Sequence, residues 1–203
     1  MTRQQVLKGL MLGLIYPAVL GTVMFAGMQV AIAPVAAFVI GAETHALDSI
    51  TWAKLTLLGI TILFYCFDYL YITFTKKFDW PFFFCDLAFI VVLYVTVYAI
   101  DLEQLSPDSP HLRAIWLCYS CFMILYLLWD VYERRRCPDP AERTFYTYVI
   151  LWELLSLGAL AAAVLWLDEG AFGLRVTIRA LAVITVLFGA LTWWKKVFYS
   201  DAA

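Results

Sequence analysis

Four acidic residues, Asp68, Asp86, Asp130 and Glu153, stand in segments that are otherwise almost free of charge. An ionised side chain at the centre of a membrane-spanning helix costs roughly 2.5–3.5 kcal/mol on insertion scales, so such residues face a protein interior or a water-filled cavity. There they can bind a cation or a proton, or line a polar vestibule. A plainer role is structural. Asp68 and Asp130 precede the basic turns Lys76-Lys77 and Arg134-Arg135-Arg136, and pairing with those turns would hold helix ends at the interface. Asp86 and Glu153 lie further from any obvious cation. Several tyrosines surround the acids, among them Tyr65, Tyr69, Tyr71, Tyr126, Tyr146 and Tyr148. Their hydroxyls suit carboxylates or a bound solute, although tyrosine at a helix end is also an ordinary interfacial anchor. Asp68, Asp86, Asp130 and Glu153, with Tyr69 in support, are therefore the expected polar lining.

The elements that must position these acids are transmembrane helices. The 203 residues are 64% apolar and 17% aromatic, with a mean hydropathy of +0.83. Soluble domains carry about 45–50% apolar residues. This composition predicts an all-α, polytopic bundle of six transmembrane helices in a single domain, with spans at about 9–41, 52–75, 81–100, 113–132, 145–167 and 173–194. The first run is too long for one straight crossing of a core about 30 Å thick, so it is expected to bend, with Pro17 and Pro34 as the natural places. Ala31-Ile32-Ala33 resembles a signal-cleavage box, but the apolar run exceeds the usual h-region, and a retained anchor is the better expectation. The turns are short and marked by Pro81, Ser106 to Pro110, Pro138, Pro140, Gly170 and Gly173.

Orientation follows from lysine and arginine. With a cytoplasmic amino terminus, six crossings place Arg3, Lys8, Lys76, Lys77, Arg134, Arg135, Arg136, Arg143, Lys195 and Lys196 inside, ten of the fourteen basic residues. Both termini are thus expected in the cytoplasm, and Arg134, Arg135 and Arg136 become candidate contacts for anionic lipid or a partner. Trp80, Trp129, Trp193 and Trp194 fall near the same interface, where indole rings are favoured. Glu43, Asp48, Asp101, Glu103, Asp108, Asp168 and Glu169 fall in outer loops, and Arg175 and Arg179 share one face near the outer rim.

A shift of 62 residues overlays Phe67-Asp68 on Trp129-Asp130, each followed by a basic turn. The third and fifth spans then carry one acid each, Asp86 and Glu153. This predicts two related hairpins, with an acid on either arm, beside a first-plus-sixth helix pair. Cys118-Tyr119-Ser120-Cys121 has thiol-redox spacing, but it lies in an apolar span without a cation to stabilise a thiolate, so packing thiols are expected. His45 and His111 fall in loops, and neither the histidines nor the five cysteines form a zinc pattern. No HExxH, GxSxG or Walker pattern occurs, and the chain has no asparagine to glycosylate. The near-neutral net charge of -2 points to no nucleic-acid partner.

Phe67-Asp68-Tyr69-Leu70-Tyr71 followed by Asp79-Trp80 looks similar to the second hairpin of small six-span urea and amide channels, with Glu153 near a family glutamate. The likeness covers only residues 61 to 165. The first span and the expected cytoplasmic termini depart from that family's pattern, and the chain is not assigned to it. The sequence-level expectation is a bacterial inner-membrane protein, homo-oligomeric or part of a membrane complex, that carries a small solute or ion. It is expected to have no enzymatic activity and no cofactor. The rival expectation is a non-catalytic subunit that scaffolds or regulates a larger membrane complex.

Overall fold

Long apolar segments without enough water around them must satisfy their backbone internally, and every described element of this chain is a helix. The structure, a computed structural model, describes residues 3–39, 49–75, 78–100, 111–168 and 170–200. Lys76, Lys77, His45, the Ser106 to Pro110 turn and the outer-loop acids Glu43, Asp48, Asp101, Glu103, Asp108 and Glu169 lie outside the described residues. The elements are α1 (Arg3–Leu10), a π-helical turn (Met11–Ile15), α2 (Tyr16–Val39), α3 (Ser49–Thr73), α4 (Trp80–Ile100), α5 (Leu112–Arg136), α6 (Pro140–Trp166) and α7 (Ala171–Ser200). Among the described residues, six stretches are long and apolar enough to cross a membrane, the first being Gln4–Phe25. The outer surface matches that use: Tyr98, Leu155 and Trp166 are 75–81% exposed, as suits side chains facing hydrocarbon.

The long first segment bends by a π turn. Pro17 has no amide hydrogen, and its ring crowds the carbonyl of Gly13 four residues back. The helix takes up the conflict in the preceding turn, where the Tyr16 amide donates to the Met11 carbonyl, five residues back. Pro34 lies within α2, which runs on to Val39. The other helices outrun their apolar windows at one end. α5 continues through Arg134 to Arg136, α6 starts at Pro140, and α7 reaches Ser200, because a helix has no reason to stop where hydropathy does.

α5 and α6 form a closely packed antiparallel hairpin, and α5 also packs on α4. The turn between them is set locally. Asp139 caps α6 by accepting from the Ala141 amide at 3.0 Å, Pro140 takes the first turn, and Arg143 donates to the Cys137 carbonyl at 2.8 Å. α3 is flanked by α7, α2 and α4. Among the described residues the first and last helices each pack on α3, and they approach each other at Lys8 and Lys195. One end of the bundle collects the basic helix termini and is called the basic end below. There Lys8 donates to the carbonyls of Thr73 and Thr75, both at 2.8 Å, covering the unsatisfied end of α3, and Arg136 pairs with Asp79 at 2.6 Å.

α3 and α7 approach closely because Gly189 presents no side chain to the Phe67 ring. A β-carbon there would meet ring atoms at 2.6 Å. Gly158 faces open space. Gly189→Val is expected to destabilise the protein by about 1–3 kcal/mol through overpacking, whereas Gly158→Ala is expected to be neutral or mildly stabilising. Thermal unfolding of both variants in detergent checks this, and equal midpoints for the two would contradict the close approach.

Candidate functional site

A polar ladder runs between α3 and α5. Both helices point toward the basic end, and their backbones stay apart, so long side chains bridge the gap. Thr61 and Tyr119 share a hydrogen bond at 3.1 Å, Tyr126 donates to Asp68 at 2.5 Å, and Tyr71 donates to Asp130 at 2.5 Å. These rungs hold a constant offset of 58 or 59 residues. At this offset Asp68 faces Tyr126 and Asp130 faces Tyr71, so the two aspartates sit about a turn apart in depth. Asp68 takes a second donor from Tyr16, which opens α2 just after the π turn. Each hydroxyl-to-carboxylate bond in so dry a place is worth about 1.5–3 kcal/mol, which lets the aspartates be buried.

The other two acids complete pairs. Asp86 of α4 lies within electrostatic range of Asp68. Glu153 of α6 lies within hydrogen-bonding reach of Asp130. Helical side chains tilt toward the amino end of their own helix, so Asp130 leans away from the basic end while Glu153 leans toward it, and the antiparallel hairpin brings the two carboxyls together. A hydrogen bond between two carboxyl groups needs a proton on one of them. All four acids are at most 1% exposed. Apart from that mutual contact, Asp130 Oδ2 and both Glu153 oxygens receive no donor from the described residues, and neither does Asp86 Oδ2.

Toward the basic end the ladder meets Lys195, which is fully buried. Its Nζ donates to Glu133 Oε2 at 3.1 Å and to Thr75 Oγ1 at 3.3 Å, and lies 3.5 Å from the centre of the Tyr71 ring. Tyr146 donates to the same Glu133 oxygen. A cation over a desolvated ring gains about 2 kcal/mol, so the site holds its ammonium by ring and carboxylate together. Toward the other end, one turn from Asp68 and Tyr126, an aromatic layer closes the interior. Phe64 lies 5.1 Å from Phe188 and 5.6 Å from Phe122, and Phe89 lies 4.6 Å from Phe122, centre to centre. Beyond this layer the interior turns polar again at Thr61-Tyr119 and at Trp116, whose indole donates to Thr177 at 2.8 Å.

The structure thus brings together Asp68, Asp86, Asp130 and Glu153, but not Tyr69. Tyr69 is half-buried and lines an apolar cleft of about 300 Å³ between α2 and α3, where Tyr16 and Pro17 also lie. A second apolar cavity of about 310 Å³ lies between α6 and α7 near Trp116. Neither cavity is lined by an acid. The structural role considered for Asp130 is not what the geometry shows, since Arg134 donates to Thr147 at 3.1 Å and Arg136 pairs with Asp79. Arg134, Arg135 and Arg136 are all exposed at the basic end. Trp129 is no interfacial anchor: it is buried 4.2 Å from the Phe82 ring, whereas Trp80, Trp193 and Trp194 are exposed. Cys118 is buried and Cys121 exposed, both as free thiols.

Sequence reasoning missed Lys195, Glu133 and Tyr16. Lys195 looked like half of a topological pair with Lys196. A signal existed, because Thr185, Phe188, Thr192 and Lys195 recur at helical spacing on one buried face while Lys196 falls outside it. Among the described residues, no three acids, histidines or cysteines gather as metal ligands do. No family model, no curated protein and no solved structure matches the chain. Tyr126→Phe removes one donor from buried Asp68 and is expected to cost about 1.5–3 kcal/mol. Unfolding of that variant in detergent, compared with exposed Tyr98→Phe as control, measures it.

Proposed function

We propose that the chain is an integral membrane protein that moves a small solute or ion through the half of the bundle nearest the basic end, with Asp68, Asp86, Asp130 and Glu153 as its polar lining. The carrying observation is that four buried carboxyl groups stand in two pairs, of which Asp86 Oδ2, Asp130 Oδ2 and both Glu153 oxygens have no donor from the described residues beyond the pair itself. Acids retained inside a bundle at such cost mark substrate, ion or proton paths. The basic end is taken as cytoplasmic from the lysine and arginine count, and a bacterial inner membrane with the protein as a homo-oligomer is the setting proposed.

The competing reading, a scaffold or regulatory subunit that uses Arg134 to Arg136 against a partner or anionic lipid, draws on the exposure of these residues. It is weakened by the engagement of Arg134 with Thr147 and of Arg136 with Asp79 within the chain. It also gives no use to the acid pairs.

Purified protein in liposomes provides the test. Wild type is expected to carry a measurable flux of protons, an alkali cation or a small neutral solute, and Asp86→Asn to lower it by about tenfold or more. Asp86 is the variant of choice because none of the tyrosine donors found on Asp68 and Asp130 serves it, and it lies within electrostatic range of Asp68. No flux of any of these species from wild type would overturn transport and favour the scaffold.

A further inference from the structure

We infer that Lys195 is the resident cation of the Asp130–Glu153 pair, and that it makes the proton, rather than a metal cation, the ion this pair exchanges. The inference rests on the transport reading and names its ion. Lys195 sits where an entering cation would sit: buried, on Glu133 and Thr75, with the Tyr71 ring beneath its Nζ and the Tyr71 hydroxyl on Asp130 at 2.5 Å. The ammonium is therefore one aromatic ring away from the acid pair. Its stem of four methylenes gives it reach that a backbone dipole lacks.

The charges facing Lys195 are few and come from every neighbouring element: Lys8 from α1, Asp68 from α3, Asp130 and Glu133 from α5, and Glu153 with the Tyr146 hydroxyl from α6. Asp86 of α4 acts on Asp68. With one proton shared between Asp130 and Glu153, the pair and Glu133 together carry two negative charges, and Lys8 with Lys195 balances them, while Asp68 is met separately by its own donors Tyr16 and Tyr126. A metal cation entering this set beside Lys195 would arrive uncompensated in a low-dielectric interior. A proton can exchange. It passes from the pair to Glu133, whose side chain is 10% exposed at the basic end, and on to water, leaving Asp130 and Glu153 both ionised with Lys195 beside them. Reprotonation restores the starting state.

Proton flux into liposomes, read by an internal pH dye, is compared in sodium chloride and in choline chloride of equal ionic strength. Wild type and Lys195→Arg are expected to carry equal flux in both salts. In Lys195→Gln, sodium is expected to take the vacated place, lowering flux about tenfold relative to choline and raising the thermal midpoint by about 2–4 °C. Because that variant leaves Glu133 buried without its partner, Lys195→Gln combined with Glu133→Gln is measured beside it by thermal midpoint alone, since Glu133 lies on the proton's way out, and the same rise in sodium is expected through Asp130 and Glu153. Equal flux in both salts for Lys195→Gln together with equal midpoints in both salts for the two variants overturns the inference. If wild type carries no flux, transport itself fails, and the sodium dependence of the midpoints still decides the role of Lys195.

Discussion

A carboxylate buried among apolar helices must be met by donors, and the tyrosine rungs between α3 and α5 are how this bundle meets that demand. Tyr126 on Asp68 and Tyr71 on Asp130 span a gap that the two backbones do not close. Other features fall into place around the rungs. The π turn forced by Pro17 adds a residue to the first helix, rotating its lower part against its upper, and Tyr16 is the residue that comes to Asp68. Gly189 lets α7 lie close on α3, which carries Lys195 under Tyr71. Asp139 and Pro140 fix the start of α6, so that Glu153 lands on Asp130 rather than on lipid.

Polarity is not spread evenly along the interior. From the basic end inward come Lys8 and Glu133, then Lys195, then the acid pairs, and then the layer of Phe64, Phe89, Phe122 and Phe188. Aromatic side chains of that bulk, packed at 4.6–5.6 Å, hold no water between them. The acids therefore have their polar neighbours on one side only. In a transport protein, such a layer is the element that has to move for the far side to be reached.

The class of the protein was legible because length and hydropathy alone fix it: segments of about 20 apolar residues can be little else. The identity of the buried acids was legible for the same reason, since a charge in such a segment stands out. Their partners were not. Tyrosine occurs at interfaces as readily as inside, so Tyr69 and Tyr126 read alike, and only the 58-residue offset of parallel helices separates the donor from the bystander. The overlay at 62 residues matched residue types along the chain and carried no information on which residues of the two helices face each other, so the Asp68–Tyr126 partnership was not contained in it. Lys195 was hidden by its neighbour, because topology counts basic residues and takes no account of which face each one occupies.

The most direct measurement is the infrared spectrum of the protein in bilayers at neutral pH, compared with Glu153→Gln. A proton shared between Asp130 and Glu153 predicts a carbonyl band of a protonated carboxyl group in wild type, shifted or lost in the variant and insensitive to Arg135→Gln. A wild-type spectrum with only ionised carboxylates, or a protonated band that Glu153→Gln leaves untouched, would contradict it.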